Sequence, residues 1–157
     1  MSGRSETDPV SEGFGGFNGK VHVLPLRIYY EDTDLSGVVY HANYLRFMER
    51  GRSEYFRCAG IMRLAMLEDD EPTAWTLRKV GIEFFRPARV DDLIEVHTRC
   101  VGLTGARMTA DQRIYAHGEL LVQATVEACI MTLQGRPRRI PEELRGRLAS
   151  FVVDTGV

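Results

Sequence analysis

Tyr29-Tyr30-Glu31-Asp32-Thr33-Asp34-Leu35-Ser36-Gly37-Val38-Val39-Tyr40-His41-Ala42-Asn43-Tyr44 runs from a strand-like segment through carboxylates and a glycine into the start of a helical pattern. Glu31, Asp32 and Asp34 crowd three like charges into four residues, which repel one another when ionised. Asp34 stands three residues before Gly37, and a glycine there frees the backbone to turn toward the following helix. An acidic cluster taken alone reads as a solvated loop before a helix cap. Its continuation into a helix sets a carboxylate opposite unpaired first-turn amides, a pairing suited to attack on a carbonyl.

Outward from this stretch, Val21 to Tyr30 reads as a strand that delivers Tyr30 to the acidic loop, with Pro25 marking an edge or an irregular beginning. From Asn43 to Ala59 the period becomes helical, with Leu45, Met48, Arg52, Tyr55 or Phe56, and Ala59 recurring at three- and four-residue steps. Gly60 supplies a C-cap, and Met62 to Leu67 is a candidate short second helix. Four strands follow: Trp75 to Phe85, Leu93 to Val101, Ala106 to Tyr115 and Leu120 to Leu133, with turns at Gly102 to Gly105 and at His117-Gly118. In the last of them Leu120, Val122, Ala124, Val126, Ala128 and Ile130 share one face, as a sheet covered on one side requires. Pro141 to Phe151 reads as a short amphipathic helix. One strand, one long helix and four antiparallel strands make an α+β domain.

A chain of 157 residues, 44% hydrophobic and 27% charged, has room for one well-buried core and too little for two ordinary domains. The net charge of -2 supplies no basic field, so no nucleic-acid partner is expected. Cys58, Cys100 and Cys129 are odd in number, widely spaced and set in apolar surroundings, which reads as reduced, buried thiols in a cytoplasmic protein. Residues 1–20 hold five glycines and no apolar stretch of the kind a secretory signal needs, so 1–20 is expected to be a disordered tail and 21–157 a single domain. The longest apolar stretch, Leu120 to Leu133, is interrupted by Gln123 and Glu127, so no membrane span is expected. His22, His97 and His117 show no metal-ligand spacing, and no metal or cofactor is proposed.

Tyr30, Asp34, Gly37, His41 and Asn43, followed by Tyr44-Leu45-Arg46-Phe47-Met48-Glu49-Arg50-Gly51-Arg52-Ser53-Glu54, resemble the signature of hotdog-fold acyl-CoA thioesterases of the 4-hydroxybenzoyl-CoA thioesterase type, most closely the Tol-Pal-associated group. The resemblance extends with lower specificity from about His22 to Leu133. It implies an antiparallel five-stranded sheet wrapped around a long central helix, Asp34 as the catalytic carboxylate, and His41 at the opening of that helix. It also implies a homodimer or homotetramer with sites at subunit boundaries. Gly51 stands where related sequences commonly carry alanine, a local loss of helix propensity.

Asp34 is the first candidate for the chemistry, as a nucleophile forming a mixed anhydride or as a base activating water. Because a thiolate leaves without much protonation, one carboxylate and an oxyanion site suffice, and the chain has no Gly-x-Ser-x-Gly elbow. His41 is a candidate through its backbone N–H, its imidazole or both, the backbone being favoured. Tyr30 either hydrogen-bonds or shields Asp34, or is a core strand aromatic. Asn43 reads as a helix cap and Glu49 as an ion-pair partner of Arg46, Arg50 or Arg52. Gly37, Arg86 and Arg89 are candidates for binding acyl-CoA, with Arg136, Arg138 and Arg139 as further cations for its phosphates. The expected function is hydrolysis of an acyl-CoA thioester to free acid and CoA. The rivals are a protein that holds acyl carrier protein or an envelope partner with incidental turnover, and a hotdog dehydratase.

Overall fold

Alternation of apolar and polar residues is strongest in the last third of the chain, and that region forms the middle of the sheet. The computed structural model describes residues 14–61, 65, 66 and 70–154. In chain order these build β1 (Gly16–Asn18), β2 (Val21–Arg27), a one-turn 3-10 helix (Tyr30–Asp32), α1 (Asn43–Cys58), β3 (Ala65–Met66), β4 (Thr73–Phe84), β5 (Leu93–Leu103), β6 (Arg107–Ala116), β7 (Glu119–Thr132), β8 (Pro137–Arg138) and α2 (Glu142–Ala149). All pairings are antiparallel, in the order β1-β2-β5-β6-β7-β4-β3, with β8 beside β7. The five-stranded expectation therefore becomes eight strands among the described residues: five long ones, plus the short β1, β3 and β8, whose two- or three-residue lengths fall below what alternation can reveal.

The apolar face of the sheet closes on α1, which buries Tyr44, Phe47, Met48, Gly51, Tyr55 and Phe56. Against them lie Ile94 and Val96 of β5, Ile114 of β6, and Val122, Ala124 and Val126 of β7, all in one apolar cluster. Each large side chain so buried stabilises the fold by about 1.5–3 kcal/mol. The buried stripe differs from the one expected: Leu45 is exposed, and the stripe runs through Gly51 rather than Arg52. Glycine carries no hydrophobic signal, yet a Cβ at Gly51 would stand 2.7 Å from Val96 Cγ1, so its absence lets the sheet approach the helix.

Several boundaries follow from local chemistry. Ile61 N–H donates to Phe56 O at 2.8 Å and Gly60 N–H to Arg57 O at 3.1 Å, with Gly60 at φ +83°, the Schellman stop expected of that glycine. His117 and Gly118, at φ 53° and 78°, form the two-residue hairpin turn between β6 and β7. Pro25 lies beyond the end of β1, where β2 is the sheet's edge. The expected strand to Tyr30 stops instead at Arg27, and the acidic cluster winds into the 3-10 turn. β1 falls within the segment read as a tail, whose residues 1–13 lie outside the described residues. The expected helix from Met62 to Leu67 lies largely outside them too, and Ala65–Met66 within it is a strand paired to β4. Cys100 and Cys129 are buried free thiols, whereas Cys58, at the last turn of α1, is exposed rather than buried.

Candidate active site

Between β2 and α1 the chain makes a loop fastened mainly by peptide groups, with side-chain ties from Asp32, Thr33, Ser36 and Asn43. Asp34 N–H donates to Val38 O at 2.9 Å and Gly37 N–H to Asp34 O at 3.1 Å, closing a tight turn in which Gly37 takes φ +81°. A side chain would be strained at that angle. Val39 N–H donates to Ala88 O at 2.9 Å and Val90 N–H to Gly37 O at 3.2 Å, so the turn is pinned to the segment that carries Arg89, across a bridge from Val38. On the helix side Tyr40 N–H donates to Asp32 O at 3.1 Å, and Asn43 Nδ2 donates to the same oxygen at 2.9 Å.

The Asp34 carboxylate is exposed in the protomer. Its Oδ1 accepts from Ser36 Oγ at 2.6 Å and from Ser36 N–H at 2.8 Å. The Ser36 hydroxyl, then the Ser36 amide, hold the carboxyl below the ordinary carboxylate range. Ser36 was missed in the sequence, although Asp-x-Ser is the spacing at which an aspartate side chain bonds the backbone two residues on.

α1 opens without a side-chain cap. Ala42 is the N-cap residue, and Asn43, expected to cap, uses its amide to tie the acidic loop to the helix instead. The amides of Asn43, Tyr44 and Leu45 donate to Tyr40, His41 and Ala42 carbonyls in a tight first turn. Among the described residues, the His41 and Ala42 amides have no hydrogen-bond acceptor in the chain. Two successive donors at the positive end of a 16-residue helix are thus left for another group. The His41 ring is exposed and lies against Tyr40 (centroids 4.7 Å apart) and Phe84 (6.3 Å), with no polar partner among the described residues.

Tyr30 opens the 3-10 turn and is 82% exposed, so it is not a core strand aromatic. Arg89 sits across from the Asp34 turn, and Arg86 faces Glu119 at a loose 3.9 Å. The backbone therefore brings the Asp34–Gly37 turn and the segment carrying Arg89 together. Arg138, by contrast, is clamped bidentately by Glu71 at 2.7 Å and belongs to the other end of β7, remote from this loop. Glu49 makes no ion pair among the described residues; its charge acts on Arg52, whose guanidinium hydrogen-bonds Gln112.

Known proteins resemble this chain in sequence and in fold. The family model described as the thioesterase superfamily matches residues 36–123, beginning two residues after Asp34. The chain is 39% identical over 122 residues to the acyl-CoA thioester hydrolase YbgC of Escherichia coli O157:H7, covering 76% of this chain and 90% of that one. It is 38% identical over 123 residues to the acyl-CoA thioesterase YbgC of Haemophilus influenzae, covering 78% and 90%. Among solved structures, a probable thioesterase from Bartonella henselae superposes with a TM-score of 0.73 at 43% identity, over 78% of this chain and 98% of that one. No helix among the described residues is long and apolar enough to cross a membrane. With a sheet closed on one long helix and a family match that spans more than half its length, the chain belongs to the thioesterase superfamily.

Proposed function

We propose that this protein hydrolyses acyl-CoA thioesters to the free acid and CoA, with the Asp34 carboxylate as nucleophile or general base and the amides that open α1 as the oxyanion site. The observation that carries this reading is one peptide-bonded loop holding an ionised, exposed carboxylate next in sequence to a helix start whose His41 and Ala42 amides are unclaimed. As the carbonyl carbon becomes tetrahedral, its oxygen takes negative charge, which helix-start N–H groups stabilise. The C–S bond then breaks and CoA leaves as a thiolate. In the nucleophilic route an acyl-aspartyl anhydride remains for water to cleave. In the base route Asp34 takes a proton from the attacking water.

Arg89, across from the Asp34 turn, and Arg86 are the cations suited to the CoA phosphates. Tyr30, Tyr40, Phe84 and Phe85 are exposed around the loop, and among the described residues β4 is paired along its outer side only at its start, by the two-residue β3. Both features suit a second copy of the chain closing over the site, as a homodimer or a larger homo-oligomer. Unpaired thiols suit a reducing compartment such as the cytoplasm.

The test is Asp34→Asn assayed for thiol release on a panel of acyl-CoAs, beside circular dichroism and size-exclusion profiles. The variant keeps its fold and assembly, since Asp34 is exposed and an amide oxygen still accepts from Ser36. Turnover is expected to fall by about 10²–10⁴-fold. A folded, assembled Asp34→Asn protein as active as wild type would remove this mechanism.

A further inference from the structure

A cavity of about 320 Å³ lies between α1 and the sheet beyond the helix start, within the range of about 300–1,000 Å³ usual for small-ligand sites. Its walls include Phe56, Leu77, Met108 and Val126. Leu77 is two residues from Trp75, whose ring stacks on Phe56 at 5.2 Å, so both strand residues face the helix. Leu77 is nonetheless 44% exposed, because α1 does not cover it there.

On the helix side of this lining the polar groups are Glu49, Arg52 and Ser53, while β4 contributes Thr76 and the Trp75 indole. The Arg52 guanidinium is fixed rather than loose: its Nη1 donates to Gln112 Oε1 at 2.9 Å. Gln112, fully buried, is itself locked by donating to Met48 O at 2.9 Å and to Thr98 Oγ1 at 2.8 Å. Among the described residues Arg52 has no other hydrogen-bond partner, so most of its N–H donors are left for a ligand. Glu49 beside it supplies an acceptor and a negative charge. A methyl placed here leaves the guanidinium unanswered, and a carboxylate meets Glu49. A hydroxyl satisfies both groups, accepting from Arg52 and donating to Glu49.

Arg52 is eleven residues beyond His41 along the helix, about 16 Å at 1.5 Å per residue. That separation exceeds the reach of a short acyl group held at the helix start and suits a medium-length chain. We propose that the cavity receives the far end of a medium-chain acyl thioester bearing a hydroxyl, with Arg52 and Glu49 as the residues that select it. The inference rests on the helix-start reaction centre proposed above.

The experiment compares kcat/KM for butyryl-CoA, decanoyl-CoA, ω-hydroxydecanoyl-CoA and the ω-carboxy analogue, in wild type, Arg52→Met and Glu49→Gln. Wild type is expected to favour the hydroxylated chain over decanoyl by at least about tenfold, the worth of one hydrogen bond to a charged group. Arg52→Met brings that ratio close to one, and Glu49→Gln narrows the preference for hydroxyl over carboxylate. Equal efficiency on the hydroxylated and plain chains in wild type overturns the inference, as does a preference that survives Arg52→Met. Butyryl-CoA turnover with no turnover of the three long chains overturns it as well. Failure to hydrolyse any of the four rejects the thioesterase reading itself. Should Arg52→Met not fold, the wild-type ratio and Glu49→Gln still decide.

Discussion

Replacing Gly51 by alanine sets two effects of opposite sign against each other inside α1. Helix propensity favours the change by about 1 kcal/mol, since alanine loses less backbone freedom than glycine. The sheet opposes it. The new Cβ would lie 2.7 Å from Val96 Cγ1, 3.0 Å from Thr98 Oγ1 and 3.2 Å from Gln112 Nε2. Val96, Thr98 and Gln112 are all fully buried, so none can swing into solvent to make room. Overpacking of this kind costs about 1–3 kcal/mol. Displacing the Gln112 amide further weakens its bonds to Met48 O and Thr98 Oγ1, and an unmet buried polar group costs about 1–3 kcal/mol. The balance is a net destabilisation of about 2 kcal/mol, or about 4–8 °C in Tm for a chain of this size. Thermal and urea unfolding of wild type and Gly51→Ala, at one protein concentration so that assembly contributes equally, measures it. Adding Val96→Ala removes the nearest obstructing atom and should recover part of the loss relative to Val96→Ala alone. A Gly51→Ala protein as stable as wild type, or more so, would show that propensity decides at this position and that the close approach of the sheet does not.

Three other expectations are open to measurement. Ser36→Ala removes the hydroxyl that most lowers the Asp34 pKa, so the acid limb of the kcat/KM profile should move to higher pH, with little change above neutrality; an unmoved limb would separate that limb from Asp34. His22 is fully buried, its ring nitrogens lack hydrogen-bond partners among the described residues, and burial lowers its pKa from the ordinary 6.5 to about 4. The unfolded chain therefore takes up the proton first, and stability present above about pH 6.5 should fall by up to about 3 kcal/mol as pH drops toward 4. His22→Leu should flatten that slope in urea titrations at successive pH values, and a slope unchanged by the substitution would assign it to other groups. Asn43→Ala cuts the tie to Asp32 O and should cost about 1 kcal/mol in stability while lowering kcat through a loosened loop; unaltered kcat would mean the main-chain bonds alone position Asp34.

The sequence made the long elements plain because each repeats one physical signal over many residues. β7 alternates through Val122, Ala124, Val126, Ala128 and Ile130, while a bulge puts Leu121 rather than the expected Leu120 in the core, and α1 ends at the glycine whose backbone angle it needs. What escaped were features set by tertiary approach or by single contacts. β1 and β3 are too short to carry a period, and Tyr30 left the strand because the Asp32 carboxylate accepts from Tyr29 N–H at 2.8 Å and winds the backbone into a turn. Gly51 read only as a weak helix residue and Gln112 was not singled out within its strand, yet together they form the packed junction of helix and sheet. At the candidate site, the glycine turn after Asp34 was legible from the spacing of Asp34 and Gly37. Ser36 carried the Asp-x-Ser signal and was passed over, and the role of Asn43 depends on a partner eleven residues earlier.

Because main-chain groups do most of the fastening of the Asp34 loop, side chains along it are released from that duty. Leu35 is fully exposed and Tyr40 half so, and neither side chain contributes a hydrogen bond to the turn. The residues at positions 35 and 40 can therefore vary while the turn that carries the acid keeps its backbone ties, so changes there leave the scaffold intact.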